Sequence, residues 1–265
     1  MPSGPIKLDV SNAVARVTMA RPEKHNAFDD VLIGELNDVF ARVAADTNIR
    51  VFILQGEGKS FSAGADLGWM QRMAAYSDAE NLADARVLAE MMRLLNELPK
   101  PTIARVQGAA FGGGVGLVAA CDIAIASARA SFCLSETRLG LIPSVISPYV
   151  VEAIGARAAR RYFQTAERFT AEEARNLGLV HEVVSEEDLD GRIMELTAVL
   201  LDNGPAAMAA SKDLIRRVSA GPVDAAMIED TAQRIADIRA TEEGLEGLSA
   251  FLEKREAAWR RTPKN

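Results

Sequence analysis

The sequence of 265 residues is poor in the residue types that most often build disulfide and metal sites. Two cysteines cannot form a disulfide framework, and two histidines cannot supply a histidine-rich metal site. His25 and His181 lie far apart, and neither belongs to a cluster with ligand spacing. We therefore expect no metal site, and we expect Cys121 and Cys133 to be buried in the core.

Positive charge and long apolar runs are also scarce. The 37 acidic residues outnumber the 30 basic ones and give a formal net charge of -7, which argues against general attraction to nucleic acid or an anionic membrane. No apolar run reaches membrane-spanning length, and the first residues lack a signal-peptide pattern. We expect a cytoplasmic protein with neither a nucleic-acid nor a membrane partner.

Hydrophobic patterning predicts an α/β architecture. In the first half of the chain the predicted elements are a hairpin over 6–20, helices over 29–45 and 78–98, and strands over 51–55, 102–106 and 122–126. Strands that alternate with helices indicate a mostly parallel sheet. Helical patterns dominate later, over 171–177, 188–201, 206–218, 223–239 and 242–260. We predict a core over residues 1–200 and a helical C-terminal region over 201–265.

Two glycine-bearing segments, 61–67 and 108–116, each follow a predicted strand. Loops without bulky side chains let backbone N–H groups approach a ligand, and the second loop opens a helix whose N-terminus favours negative charge. Two N–H groups that converge from such loops would form an oxyanion hole. On spacing alone, tight strand-to-helix turns explain these glycines equally well. Neither segment fits a phosphate loop, a dinucleotide fingerprint or a nucleophile elbow.

Longer stretches around these loops resemble the crotonase (enoyl-CoA hydratase/isomerase) family. The likeness lies in FSAGADL at 61–67, GAAFGGG at 108–114, CDIA at 121–124, FCLSETRLGLIP at 132–143, FTAEEA at 169–174, GLV at 178–180 and FLEKR at 251–255. The resemblance covers nearly the whole chain in the expected order. It implies a crotonase-type α/β spiral of ββα units with a helical C-terminal trimerisation region, assembled as a homotrimer or a dimer of trimers.

The resemblance also implies site residues. Matching positions place two oxyanion-hole N–H groups at Ala65 and Gly113, where they would hold the thioester oxygen of an acyl-CoA. Glu136 matches the glutamate that serves the α-carbon proton. Coenzyme A is then part of the substrate, and no prosthetic group is implied. Without the resemblance, Glu136 is better explained as a surface residue paired with Arg138.

Matching positions also suggest a coenzyme A site. Ala63, Asp66 and Leu67 fall in the cofactor-binding loop, and Lys24 and Lys254 fall where the family binds the phosphates. Arg255 is a second candidate, and Arg260, Arg261 and Lys264 add to a basic cluster in the last dozen residues. Taken alone, each lysine is more simply a solvated surface group. Trp69, Met70 and Met73 are expected to line the acyl tunnel or to belong to the core.

One position departs from the pattern that the resemblance implies. Hydratases of the family usually carry a second glutamate where this sequence has Gly116, and adding water needs one group to activate water and one to handle the α-carbon proton. A single glutamate is typical of enoyl-CoA isomerases. Dehalogenation is excluded because Ser144 stands where the nucleophilic aspartate would be required.

The segment 141–151, with Phe111 and Gly116, resembles a bacterial branch of methylglutaconyl-CoA hydratases. If this holds, water is held by backbone groups or by hydroxyls such as Ser144, Ser147 or Tyr149. We therefore expect a hydratase/dehydratase that acts on a branched, methylglutaconyl-type CoA thioester in leucine breakdown or a related pathway. The alternative is an isomerase that uses Glu136 alone. A non-enzymatic acyl-CoA or RNA-binding protein is less favoured.

Overall fold

A computed structural model describes residues 4–219 and 221–260, and these residues form ten α-helices and ten strands. The helices are α1 (Asp30–Ala45), α2 (Leu67–Met73), α3 (Asp78–Asn96), α4 (Gly113–Ala120), α5 (Ser147–Thr165), α6 (Ala171–Leu177), α7 (Leu189–Leu201), α8 (Pro205–Ser219), α9 (Ala225–Ala240) and α10 (Glu242–Leu252). The strands are β1 (Ile6–Ser11), β2 (Val14–Met19), β3 (Val51–Gly56), β4 (Ser60–Ser62), β5 (Thr102–Val106), β6 (Ala109–Phe111), β7 (Ile123–Ser127), β8 (Ser131–Cys133), β9 (Phe169–Thr170) and β10 (Glu182–Val184).

The strands form two sheets. The larger has six strands in the order β1-β2-β3-β5-β7-β10, and all neighbours are parallel except the hairpin β1-β2. The smaller has the order β4-β6-β8-β9, with only β8-β9 antiparallel. Two parallel strands that follow each other in the sequence are joined by a crossover connection. The loops that leave the carboxyl ends of such strands therefore lie at the same edge of the sheet. The two glycine-bearing loops follow β4 and β6, which are neighbours in the smaller sheet.

Local sequence signals explain where the first helices begin. The Asp29 carboxylate accepts a hydrogen bond from the N–H of Leu32 and caps α1. At the start of α3, Ser77 and Glu80 form a reciprocal capping box. The apolar stripe of α1 is buried, and Phe40 packs edge-to-face on Phe52 of β3 with ring centroids 5.6 Å apart.

The described residues form two compact units. One comprises the described residues up to Leu98 together with Thr102–Met194 and contains both sheets. The other comprises Pro99–Pro101 and the described residues from Glu195 onward and contains α8, α9 and α10. The division falls inside α7, whereas the boundary predicted from the helical pattern lies at residue 200. The trimerisation role of the second unit stays a prediction.

The predicted α/β class and the mostly parallel sheet are confirmed, as is the burial of both free cysteines. The pattern did not predict α5 or the smaller sheet. The last predicted helix, 242–260, is wrong in its second half, because α10 ends at Leu252. Lys254 there adopts a positive φ of 55°, which breaks the helix.

Candidate active site

The first glycine-bearing loop runs from β4 into α2. Gly64 has φ of 87°, and the Asp66 carboxylate caps α2 by accepting from the N–H groups of Gly68 (2.9 Å) and Trp69 (3.2 Å). Phe28 lies alongside this loop: its N–H donates to the Gly64 carbonyl (2.6 Å), and its carbonyl accepts from the Asp66 N–H (2.7 Å). The Ala65 N–H between these bonds has no acceptor among the described residues, and Ala65 is exposed.

The second loop runs from β6 into α4. Gly112 has φ of 50° and ψ of -122°, and its N–H donates to the Cys133 carbonyl at 2.8 Å. Gly113 is the first residue of α4, so its N–H has no partner inside the helix. It has no other acceptor among the described residues either. The N-terminus of α4 therefore presents an unsatisfied donor at the positive end of a helix.

The two loops are in close contact. A Cβ on Gly64 would lie 3.1 Å from the Phe111 carbonyl oxygen and 3.8 Å from Cα of Gly112. A Cβ on Gly113 would lie 2.4 Å from Cε2 of Phe28, which leaves no room for a side chain. Glycine is required at position 64 because backbone approaches backbone there, and at position 113 because the buried Phe28 ring fills the space. The structure thus brings together the two loops that the sequence singled out.

Glu136 lies against the second loop at the start of a 3-10 helix, Glu136–Leu139. A Cβ on Gly112 would lie 3.2 Å from Oε1 of Glu136. Its Oε2 is buried and has no hydrogen-bond partner among the described residues. Burial raises the pKa of this carboxyl above its ordinary value of 4.5, against a smaller opposing effect of its own backbone N–H. A buried carboxyl without a partner is costly for folding alone and is typical of functional sites.

Arg138 does not pair with Glu136, so the alternative explanation as a surface ion pair is wrong. The Arg138 guanidinium instead donates to the Ala166 carbonyl at 2.6 Å. Nor is Arg138 among the groups that shift the Glu136 pKa.

The predicted coenzyme A residues of the first unit lie around the first loop. The Lys24 ammonium is 3.0 Å from Oδ2 of Asp66, and its hydrogen bond is the main cause of the lowered pKa of Asp66. Arg21 bridges Asp66 (3.5 Å) and Asp29 (2.5 Å). The Ala63 N–H donates to the His25 carbonyl at 3.0 Å. Lys24 is half-exposed, so its charge remains accessible to a phosphate.

Leu67 is 77% exposed, as expected for a residue at the mouth of a binding site. Trp69 is a core residue instead: it is 4% exposed, and its indole N–H donates to Asp84 at 3.2 Å. Met73 packs against the same core. Of the three candidates for the acyl tunnel, Trp69 and Met73 therefore serve the core.

Asn26 holds the Lys24 loop in place, and the sequence analysis missed it. Its fully buried side-chain amide donates to the carbonyls of Glu57 (3.0 Å) and Ser60 (2.9 Å), and its carbonyl oxygen accepts from the Arg21 N–H (2.9 Å). Its backbone carbonyl accepts from the Ser62 hydroxyl at 2.9 Å. The one available signal was an asparagine next to a turn, a residue that tolerates the positive φ of 55° found here.

The basic residues near the C-terminus belong to the second unit. Lys254 is exposed. Arg255 makes two bonds to Glu246, at 2.7 and 2.8 Å, and Arg260 pairs with Asp202 at 2.9 Å. These ion pairs neutralise two members of the expected basic cluster. Arg261 and Lys264 lie outside the described residues.

Comparison with known proteins identifies the family. The model of the enoyl-CoA hydratase/isomerase family matches residues 9–262. The crystal structure of an enoyl-CoA hydratase from Shewanella pealeana is similar with a TM-score of 0.94 and 48% identity, covering 96% of each chain. The short-chain-enoyl-CoA hydratase of Clostridium acetobutylicum is 32% identical over 254 residues, covering 94% of each chain. The crotonyl-CoA hydratase of Syntrophomonas wolfei is 33% identical over 254 residues, covering 95% of this chain and 96% of that protein. The chain belongs to the enoyl-CoA hydratase/isomerase family.

The predictions of a crotonase-family enzyme and of a crotonase-type fold are thereby confirmed. None of these three matches singles out the methylglutaconyl-CoA branch. Within residues 4–219 and 221–260, no helix is long and apolar enough to span a membrane. The cytoplasmic location stays a prediction.

The position of the usual second glutamate is closed in this family member. A Cβ on Gly116 would lie 2.2 Å from Cγ2 and 2.7 Å from Cβ of Ile146. Of the hydroxyls considered for holding water, that of Ser147 is engaged: it donates to the Ser144 carbonyl at 2.7 Å. Burial raises the pKa of Tyr149 above its ordinary value.

Proposed function

We propose that the chain is an acyl-CoA hydratase/dehydratase that acts on an α,β-unsaturated CoA thioester through an enolate. The observation that carries this proposal is the buried, unpartnered Oε2 of Glu136. It lies beside two loops in which the N–H groups of Ala65 and Gly113 lack acceptors among the described residues. An acid–base group and a pair of donors in one place are what the chemistry of an enolate requires. Family membership supports the same class of substrate.

The thioester oxygen accepts hydrogen bonds from the N–H groups of Ala65 and Gly113. Conjugation carries negative charge to this oxygen when hydroxide adds to the β-carbon, and the two donors stabilise the resulting enolate. Each donor of this kind lowers the barrier by about 2.7–4 kcal/mol. The Glu136 carboxylate takes the proton lost by the water that supplies this hydroxide and delivers a proton to the α-carbon, so that one water is added in total and the carboxylate is restored. Dehydration runs through the same steps in reverse.

The raised pKa of Glu136 suits this role. A carboxyl with an ordinary pKa is almost fully ionised at neutral pH and is a poor proton donor. Burial brings its pKa closer to neutral pH, where both giving and taking a proton become efficient. The carboxyl therefore acts as a base in one step and as an acid in the other, in hydration and in dehydration alike.

Coenzyme A binds as part of the substrate, and no prosthetic group takes part in these steps. Ala63, Asp66 and Leu67 line the adenine side of its site, where the first loop leaves backbone and apolar surface accessible. Lys24 neutralises its phosphates, and Lys254 does so at the coenzyme A site of a neighbouring subunit. The assembly is a homotrimer or a dimer of trimers, built through the helical C-terminal region.

The preferred acyl group is branched and of the methylglutaconyl type. This choice rests on the resemblance of the segment 141–151, together with Phe111 and Gly116. The alternative is an enoyl-CoA isomerase, and the absence of a side chain at Gly116 favours it, since moving a double bond needs only one carboxylate. Both reactions pass through an enolate held by the same two donors.

A substrate panel separates these functions. Purified enzyme is incubated separately with crotonyl-CoA, methylcrotonyl-CoA, methylglutaconyl-CoA and a β,γ-unsaturated acyl-CoA. The masses of the products are determined by mass spectrometry. Hydration adds the mass of one water and removes the absorbance of the conjugated thioester. Isomerisation leaves the mass unchanged and creates that absorbance from the β,γ-unsaturated ester. We expect water addition, with the highest kcat/KM on methylglutaconyl-CoA; products of unchanged mass across the panel would establish the isomerase instead.

A further inference from the structure

Gly112, which immediately precedes α4, and Gly116, in its first turn, face different side chains. The two glycines are adjacent, since the Gly116 N–H donates to the Gly112 carbonyl at 3.4 Å. The Cβ position of Gly112 faces Oε1 of Glu136 at 3.2 Å, and that of Gly116 faces Cγ2 of Ile146 at 2.2 Å. Ile146 therefore occupies the space that a side chain at 116 would need, next to the glycine that Glu136 contacts.

Ile146 cannot move aside easily. It is 3% exposed, belongs to the main core cluster and caps the N-terminus of α5. Its carbonyl also accepts the Val150 N–H at 3.1 Å. The conflict with a residue at 116 includes Cβ of Ile146, at 2.7 Å, and that atom moves only with the backbone. Met92, whose methyl group lies 3.2 Å away, is flexible and can yield.

We propose that Ile146 closes position 116 to any side chain and so keeps Glu136 as the single carboxylate of the site. This inference rests on the proposed function. With one carboxylate, Glu136 must both activate water and serve the α-carbon proton, so a second acid–base group at 116 would relieve it of one of these tasks.

The packing claim is tested by thermal unfolding of a variant cycle. Gly116→Ala should lower Tm by roughly 2–12 °C, because overpacking of this kind costs a protein of this size that much. Ile146→Gly removes both clashing atoms at a helix N-cap, where glycine is tolerated. In the double variant the alanine should cause no further loss. Gly34→Ala, on α1 with nothing within 4 Å, is the control and should not lower Tm. Losses that simply add in the double variant would overturn the proposal.

The catalytic claim is tested with Gly116→Glu in the Ile146→Gly background. A second acid–base group contributes on the order of 10²–10⁴-fold where it is fully used, so we expect at least about a tenfold gain in kcat/KM on crotonyl-CoA over Ile146→Gly. Gly116→Gln in the same background is the matched control, of equal size but without the carboxylate, and should give no gain.

Each outcome decides the inference. Equal activity of the Glu and Gln variants overturns it, and so does a stability loss from Gly116→Glu that is as large in the Ile146→Gly background as in the wild type. A different result would contradict the proposed function, namely that the wild-type enzyme adds water to no member of the substrate panel. In that case the unfolding cycle still reports whether Ile146 closes position 116.

Discussion

Replacing Gly113 by alanine tests whether the two N–H loops are held in contact. The new methyl carbon would lie 2.4 Å from Cε2 and 2.9 Å from Cδ2 of Phe28. Carbon atoms prefer a separation of about 3.5–4.0 Å, so the ring must move by about 1 Å or more. Phe28 is 2% exposed, and its backbone bonds to Gly64 and Asp66 on either side of Ala65. Moving Phe28 therefore moves the Ala65 N–H.

Gly113→Ala is expected to lower both the stability and kcat, and the two losses can be measured separately. Overpacking costs about 1–3 kcal/mol of unfolding free energy. Displacing one oxyanion donor costs about 10²–10³-fold in kcat. Phe28→Leu removes the ring edge that the methyl meets, so adding it to Gly113→Ala should restore part of both quantities. Gly191→Ala on α7, with nothing within 4 Å, is the control for the glycine-to-alanine change itself.

The assays are urea unfolding and steady-state hydration of an enoyl-CoA. Wild-type stability and wild-type kcat in Gly113→Ala would refute the close contact between the loops. A loss of stability with kcat unchanged would instead refute the role of these donors in turnover. A double variant that recovers neither quantity would show that Phe28 does not transmit the displacement.

Three further predictions concern single residues. Burial raises the pKa of Glu136. Between the ordinary value of 4.5 and the value in the folded protein, the native state therefore holds a proton that the unfolded state releases, and the free energy of unfolding falls as pH rises. Glu136→Gln should lack this fall in urea titrations, and equal pH slopes for the wild type and the variant would contradict it. Lys24→Ala should raise KM for the CoA ester by about tenfold, or about 1.4 kcal/mol, with kcat little changed, whereas a large loss of kcat at unchanged KM would contradict a phosphate role. Asn26→Ala leaves two carbonyls without its amide donors and should lower the free energy of unfolding by about 2–6 kcal/mol, as measured by urea unfolding. Asn26→Asp keeps the size but loses the donors, so it should be destabilised as well. An Asp variant as stable as the wild type would refute the reasoning.

The larger sheet and its flanking helices could be predicted because their residues repeat with a clear period. Runs such as Val51–Gly56 are long enough to show a buried strand, and α1 and α3 carry apolar stripes behind capping residues. The smaller sheet was missed because its strands have two or three residues, too few for a period. The α5 helix is interrupted at Gly155, where φ is 72°, and this break obscured its helical spacing.

The candidate site divides in a similar way. The two glycine loops were found from their glycines and their position after predicted strands, and Glu136 was found through the resemblance of the contiguous segment around it. Ile146 lies thirty positions after Gly116, and its contact with that glycine depends on how α5 packs against α4. No local pattern reports such a contact. The unpaired state of Glu136 likewise follows from the direction that Arg138 takes toward Ala166.

The central claim is that Glu136 moves the α-carbon proton, and turnover and binding of Glu136→Gln test it most directly. Wild type and variant are compared in kcat/KM on the best substrate of the panel and in Kd for a saturated acyl-CoA. Loss of a general acid–base group should lower kcat/KM by about 10²–10⁴-fold, while Kd stays within about threefold because the coenzyme A contacts are intact. A variant that binds normally and turns over at the wild-type rate would contradict the account.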